Sequence, residues 1–168
     1  MFRVLFFILT FVAFQLNSNA QQEQIKIDAT VNMQIHELEI LQKITYFNKS
    51  NTSLDTIYLL NWPNSFLGRK SPLAKRLIED YDRSLYFAKR EDRGHNRIKE
   101  ITDQDQLLIW STVKGAPDIL RVVLNQTLKP KDTLIINASY TLKIPSNEFT
   151  RYGVRNNTFN LRNWHLVP

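Results

Sequence analysis

The sequence predicts a mostly β protein: a β-sandwich with one inserted amphipathic helix. Three observations predict it. Thr133 to Ile144 carries apolar Leu134, Ile136, Ala138, Tyr140, Leu142 and Ile144 on one parity and mostly polar residues on the other. Period-two alternation of this length marks a strand with one buried and one solvated face. Shorter runs of the same kind recur between polar breaks, and only Pro72 to about Lys89 switches to helical spacing. Many strands with one helix among them suit a sandwich.

The first residues are a targeting segment. Arg3 supplies a positive start, Val4 to Phe14 is an uncharged apolar stretch, and Ser18-Asn19-Ala20 places small residues where signal peptidase cuts. The apolar stretch is well short of the ~20 residues needed to span a bilayer. Residues 1–20 are therefore read as a signal peptide, cleaved between Ala20 and Gln21, and residues 21–168 as one sandwich domain. The protein is expected to be exported, periplasmic or secreted. No cysteine follows to carry a lipid anchor, and the mature chain is expected to have no membrane span. The absence of cysteine also excludes disulfides and thiol chemistry. A net charge of +6, with cations and acids interleaved, fits solubility better than a nucleic-acid surface, so no nucleic-acid partner is expected.

Along the domain, Ile25, Ile27, Ala29 and Val31 alternate as in a half-buried strand. Leu38, Ile40, Ile44 and Tyr46 follow on the opposite parity, which places a turn near Asn32 to Glu37 and makes a hairpin. Asn48 to Ser53 is a polar loop, Leu54 to Leu60 a third strand, and Asn61-Trp62-Pro63-Asn64 closes it. Ser71-Pro72 reads as a helix entry, serine as N-cap and proline at the first position. Leu73, Leu77, Ile78, Tyr81, Leu85 and Ala88 make the apolar face of one helix ending near Lys89, and Gly94 turns the chain. Leu107 to Val113 is the next strand. Ile119 to Leu124 and Thr133 to Ile144, on either side of Lys129-Pro130-Lys131-Asp132, read as a hairpin. Thr158 to Trp164 is a last short candidate.

Reactive chemistry is hard to find. His36-Glu37-Leu38-Glu39-Ile40 starts like the zinc motif H-E-x-x-H, but Ile40 stands where the second ligand belongs and the run has strand periodicity. His95 and His165 lack ligand-spaced neighbours. Glu79, Asp80 and Asp82 read as a solvated helix face, and Lys89, Arg90, Arg93 and Arg97 as a charged helix end or an anion patch. Trp62, Trp110 and Trp164 are core residues or an aromatic platform for sugar or peptide. Asn48, Asn51, Asn125, Asn137 and Asn156 head N-x-S/T sequons, and Asp55-Thr56-Ile57 and Asp132-Thr133-Leu134 resemble a bacterial O-glycosylation acceptor.

The ordered set of motifs resembles the N-terminal domain of bacterial aminopeptidase N-type zinc metallopeptidases (peptidase family M1). The carriers are Ile27-Asp28-Ala29-Thr30-Val31, then Ile44-Thr45-Tyr46-Phe47-Asn48-Lys49-Ser50 as an I-x-Y-x-N-x-S pattern, then Leu54 to Leu59 with Asn61-Trp62. Leu128-Lys129-Pro130, Leu142-Lys143-Ile144-Pro145, Phe149 to Gly153 and Trp164 continue the order, and Ser71 to Arg76 looks like a subgroup's inserted helix. The family commonly has glycine after the turn proline, where this chain has Lys131. The resemblance implies a saddle-like sandwich without catalytic, cofactor-binding or metal residues of its own. Zinc, with the G-x-M-E-N and H-E-x-x-H motifs, would belong to a catalytic domain of the same polypeptide acting on peptide substrates, and this chain alone would be inactive. The alternative from the residues themselves is a stand-alone periplasmic or surface module binding sugar or peptide.

Overall fold

The computed structural model describes residues 23–168, so the predicted signal peptide and its Ala20–Gln21 cleavage point lie outside the described residues. The described chain is mostly β, with two sheets sharing one core. Strands β1 (Gln24–Asn32), β2 (Glu37–Phe47), β4 (His95–Asp103), β5 (Gln106–Leu107) and β8 (Thr133–Lys143) form a five-stranded sheet in the order β1-β2-β8-β4-β5. Strands β3 (Leu54–Leu60), β6 (Ile109–Val113) and β7 (Ala116–Leu128) form a three-stranded sheet in the order β3-β7-β6. Strands β9 (Gly153–Arg155) and β10 (Thr158–Asn160) make a small ribbon. Between the sheets, Leu38, Ile40, Ile44, Ile136, Tyr140 and Leu142 face Ile57, Leu59, Leu120 and Val122 in one buried cluster. The period-two alternation of β8 thus places its whole apolar parity inside.

Several expectations need correction. Ile119 to Leu124 and Thr133 to Ile144 do not form a hairpin: β7 pairs with β3 and β6, and β8 with β2 and β4. The Lys129–Asp132 turn carries the chain from one sheet to the other. Both strands are apolar on one parity because both face the same core from opposite sides, a pattern that alternation cannot tell from pairing.

The apolar parity of β1 is not half-buried. Ile25 and Val31 are 36% and 47% exposed, and only Ile27 packs partly on the core. β1 pairs with β2 as the expected antiparallel hairpin, with Ile27 opposite Gln42 and Val31 opposite Leu38. The five-stranded sheet is wider than its partner, so this edge strand overhangs it.

Leu107 to Val113 is not one strand. β5 belongs to the larger sheet and β6 to the smaller, with buried Leu108 between them donating its N–H to Ile101 O. β4 was not anticipated. A register shift between Ile98 and Glu100 puts Ile98 and Ile101 on one face three positions apart, which erases the alternation.

The helical insertion starts as expected and then breaks. Helix α1 (Pro72–Glu79) has Ser71 as N-cap, its Oγ accepting from Ala74 N at 3.2 Å. It ends with Tyr81 at φ 63, and with Tyr81 N donating to Ile78 O and Asp82 N to Leu77 O. That is the closing geometry of a Schellman motif, here with tyrosine where glycine is usual. Tyr81, expected on the apolar face, is 96% exposed as a result. A short helix α2 (Ser84–Phe87) follows, opened by Asp82 Oδ1 accepting from Ser84 N at 2.7 Å. Its Leu85, with Phe66, Ala74, Phe149 and Tyr152, makes a second buried cluster. The last predicted strand shrinks to β10, after which Val167 pairs with Leu60 in an isolated bridge.

Candidate functional site

The motif residues converge on two junctions. At the first, Asn48 ends the I-x-Y-x-N-x-S run just past β2, and it is fully buried. Its Nδ2 donates to Thr52 O at 2.9 Å and to Leu128 O and Lys129 O, each at 3.1 Å. Its backbone N–H donates to Asp132 O, and its carbonyl accepts from Lys131 N, both at 3.0 Å. Lys131 has φ 66, the left-handed region that glycine occupies without steric cost. The turn after Pro130 is therefore held by one asparagine from the far side of the sequence.

At the second junction, Gln42 occupies an inward position of β2 between Ile40 and Ile44 and is buried. Its Nε2 donates to Leu166 O at 2.6 Å, while its Oε1 accepts from Leu166 N at 3.1 Å and from Tyr140 OH at 2.5 Å. One side-chain amide thus satisfies both backbone groups of Leu166, a pairing a buried polar residue needs. Burial drives the phenols of Tyr140 and Tyr152 well above their ordinary range, so both stay protonated. The hydroxyl of Tyr152 is buried without a partner. Sequence reasoning passed over Gln42; the available signal was a polar residue on an otherwise apolar parity.

The other candidates scatter. Glu37 to Ile40 lie in β2, where successive side chains point to opposite faces, so the zinc-like run cannot gather ligands. His36 sits edge-on to Phe159 at 5.9 Å, and His165 edge-on to Trp164 at 5.7 Å. Among the described residues, no group of three or more His, Asp or Glu stands close enough to hold a metal. No helix of the described residues is long and apolar enough to cross a membrane. Glu79 and Asp80 pair with Arg76 on the exposed face of α1, as a solvated helix face should. Arg93 leaves the basic cluster to donate to Ala88 O at 2.7 Å. Trp62 packs against the smaller cluster, Trp110 against the larger and Trp164 against both, so Trp62 and Trp110 belong to different clusters. Asn48 is unavailable for glycosylation, with its amide buried in three hydrogen bonds, and the Thr133 hydroxyl is buried too.

Two histidines carry a pH dependence. Burial lowers the pKa of His95, with Arg97, Lys143 and Arg90 adding to it and Glu37 opposing, and burial lowers that of His165. In the unfolded chain both titrate near about 6.5. Below that value the unfolded state binds protons that the folded state refuses, so stability falls as pH drops from the unfolded toward the folded pKa. Melting temperature is expected to decline from pH 7.5 to 5.5, and less so in His95→Asn/His165→Asn. Parallel declines would remove the histidines as the cause.

A hollow of about 370 Å³ opens beside the C-terminal segment, where Trp62, Arg151 and Tyr152 meet Asn160, Arg162 and Asn163. A second, of about 350 Å³, lies over β1, β2, β8 and β4 and is lined by Lys26, Asp28, Lys43, Glu100, Asn137 and Ser139. Its charges alternate in sign, so it favours no single ligand charge.

No protein-family profile matches this chain, and no curated protein does. Solved structures overlap it in part. A two-domain M1 zinc metallopeptidase point mutant bound to L-tryptophan overlaps at a TM-score of 0.43 and 13% identity, over 74% of this chain and 20% of that one. The M1 zinc metallopeptidase from Deinococcus radiodurans overlaps at 0.39 and 15%, over 65% of this chain and 17% of that one. A two-domain M1 point mutant bound to L-arginine overlaps at 0.39 and 14%, over the same shares. The chain thus spans a fifth or less of the length of these proteins. Overlaps this loose transfer no residue role between the chains.

Proposed function

We propose that this chain is an exported, non-catalytic β-sandwich of an aminopeptidase N-type zinc metallopeptidase, shaping the peptide cleft of a catalytic domain that carries the zinc. The observation that carries this reading is the Asn48 junction. Two motifs on which the resemblance rests, I-x-Y-x-N-x-S and L-x-P, lie some eighty positions apart and meet through hydrogen bonds from Asn48 to Leu128 O and Lys129 O. The left-handed Lys131 gives a physical reason for the glycine common at that point of the family pattern. The exposed apolar side of β1, with Val31 followed by Met33 and Ile35, offers a surface for a neighbouring domain.

The purified chain is expected to release no nitroaniline from an aminoacyl-p-nitroanilide, and turnover abolished by a chelator would overturn the non-catalytic reading. Reading the gene past the codon for Pro168 is expected to reveal G-x-M-E-N and H-E-x-x-H segments. A stop codon there would overturn the link to a catalytic domain of the same polypeptide.

A further inference from the structure

The hollow beside the C-terminal segment has a chemistry independent of the aminopeptidase reading. Arg151 and Arg162 both line it, and no Asp or Glu does. Among the described residues neither guanidinium takes part in a salt bridge; the ion pairs there belong to Lys49 and Arg76. Two like charges sharing one hollow repel each other, and an anion between them removes that cost. Guanidinium forks bind carboxylate or phosphate through paired N–H donors.

The remaining lining narrows the choice. Trp62 is half-buried and stands edge-on to Phe66 at 5.9 Å, and the Tyr152 ring lies 5.3 Å from the same Phe66. Packing on this cluster holds the indole in place and leaves part of it facing the hollow. A flat apolar surface next to paired cations suits an anion carried on a ring, which gains stacking that a bare anion cannot. Asn160 and Asn163 add amide donors and acceptors, and Asn163 is held in the left-handed region at φ 53. The Thr150 hydroxyl is already engaged with the Tyr152 backbone.

We propose that this hollow binds an organic carboxylate attached to an aromatic body, as at the C-terminal end of a peptide whose last residue is aromatic. Arg151 and Arg162 hold the carboxylate, Trp62 meets the ring, and Asn160 and Asn163 serve the adjoining amide. Titrating N-acetyl-L-phenylalanine into the ¹⁵N-labelled full chain at low salt is expected to shift the Trp62 indole and the amides of Arg151, Tyr152 and 160–163. The shifts should saturate with a dissociation constant of about 1 mM. Arg151→Gln/Arg162→Gln should weaken binding at least about tenfold, with the dispersion of the other amides unchanged. Absence of saturable shifts, or unchanged affinity in the double variant, overturns the site. Equal affinity for N-acetylphenylalaninamide overturns the role of the carboxylate, and equal affinity for inorganic phosphate overturns that of the ring.

Discussion

Replacing Gln42 with leucine is expected to destabilise the sandwich by about 3–5 kcal/mol, since it strands several buried polar groups at once. Leucine fits the apolar surroundings of β2, so the loss would not come from poor packing. It would come from Tyr140 OH and from the N–H and carbonyl of Leu166, all of which now meet the Gln42 amide. Set against a typical stability of about 5–15 kcal/mol, such a loss leaves the fold marginal. Urea unfolding would measure it, with Tyr140→Phe and the double variant completing a cycle. A loss below about 1 kcal/mol would show that water or a local shift replaces the amide.

Gly153→Ala should cost a similar amount for a different reason. Gly153 has φ 143, and a Cβ there would lie 2.6 Å from Asn147 N and 2.7 Å from both Pro145 O and Ser146 C. These are backbone atoms of the segment that Val154 grips, through Val154 N to Pro145 O at 2.8 Å and Asn147 N to Val154 O at 3.2 Å. Strain and overpacking together should exceed about 3 kcal/mol. Gly115 provides the comparison: its φ is 83 but nothing lies within 4 Å of the added carbon. Gly115→Ala should therefore cost only the conformational term, about 1–2 kcal/mol. Equal losses in thermal unfolding would mean that the segment around Pro145 gives way.

Local pattern was legible wherever one face of a strand met the core without interruption. Leu54–Leu60 and Thr133–Lys143 fall where alternation places them, and the β1–β2 turn falls where the parity changes. Pairing was not legible, because strands on opposite walls of one core carry the same alternation as hairpin partners. β4 was hidden by its bulge, and the break in the helix by a tyrosine in a position sequence rules give to glycine. The C-terminal hollow was half legible: Trp62 was singled out, but Arg151 and Arg162 acquire meaning only through their shared surroundings.

The passage of Lys129–Asp132 between sheets also bears on time. β8 is the strand that joins β2 to β4, with Leu38 opposite Leu142 and Ile98 opposite Tyr140. Until it arrives, the larger sheet consists of separate ribbons, and its assembly must close loops on the order of a hundred residues, which slows folding toward the millisecond-to-second range. During synthesis β8 emerges after β1 to β7, so those strands leave the ribosome before the central strand of the larger sheet exists. Under the export proposed above, a larger sheet that is still unassembled would leave the polypeptide threadable.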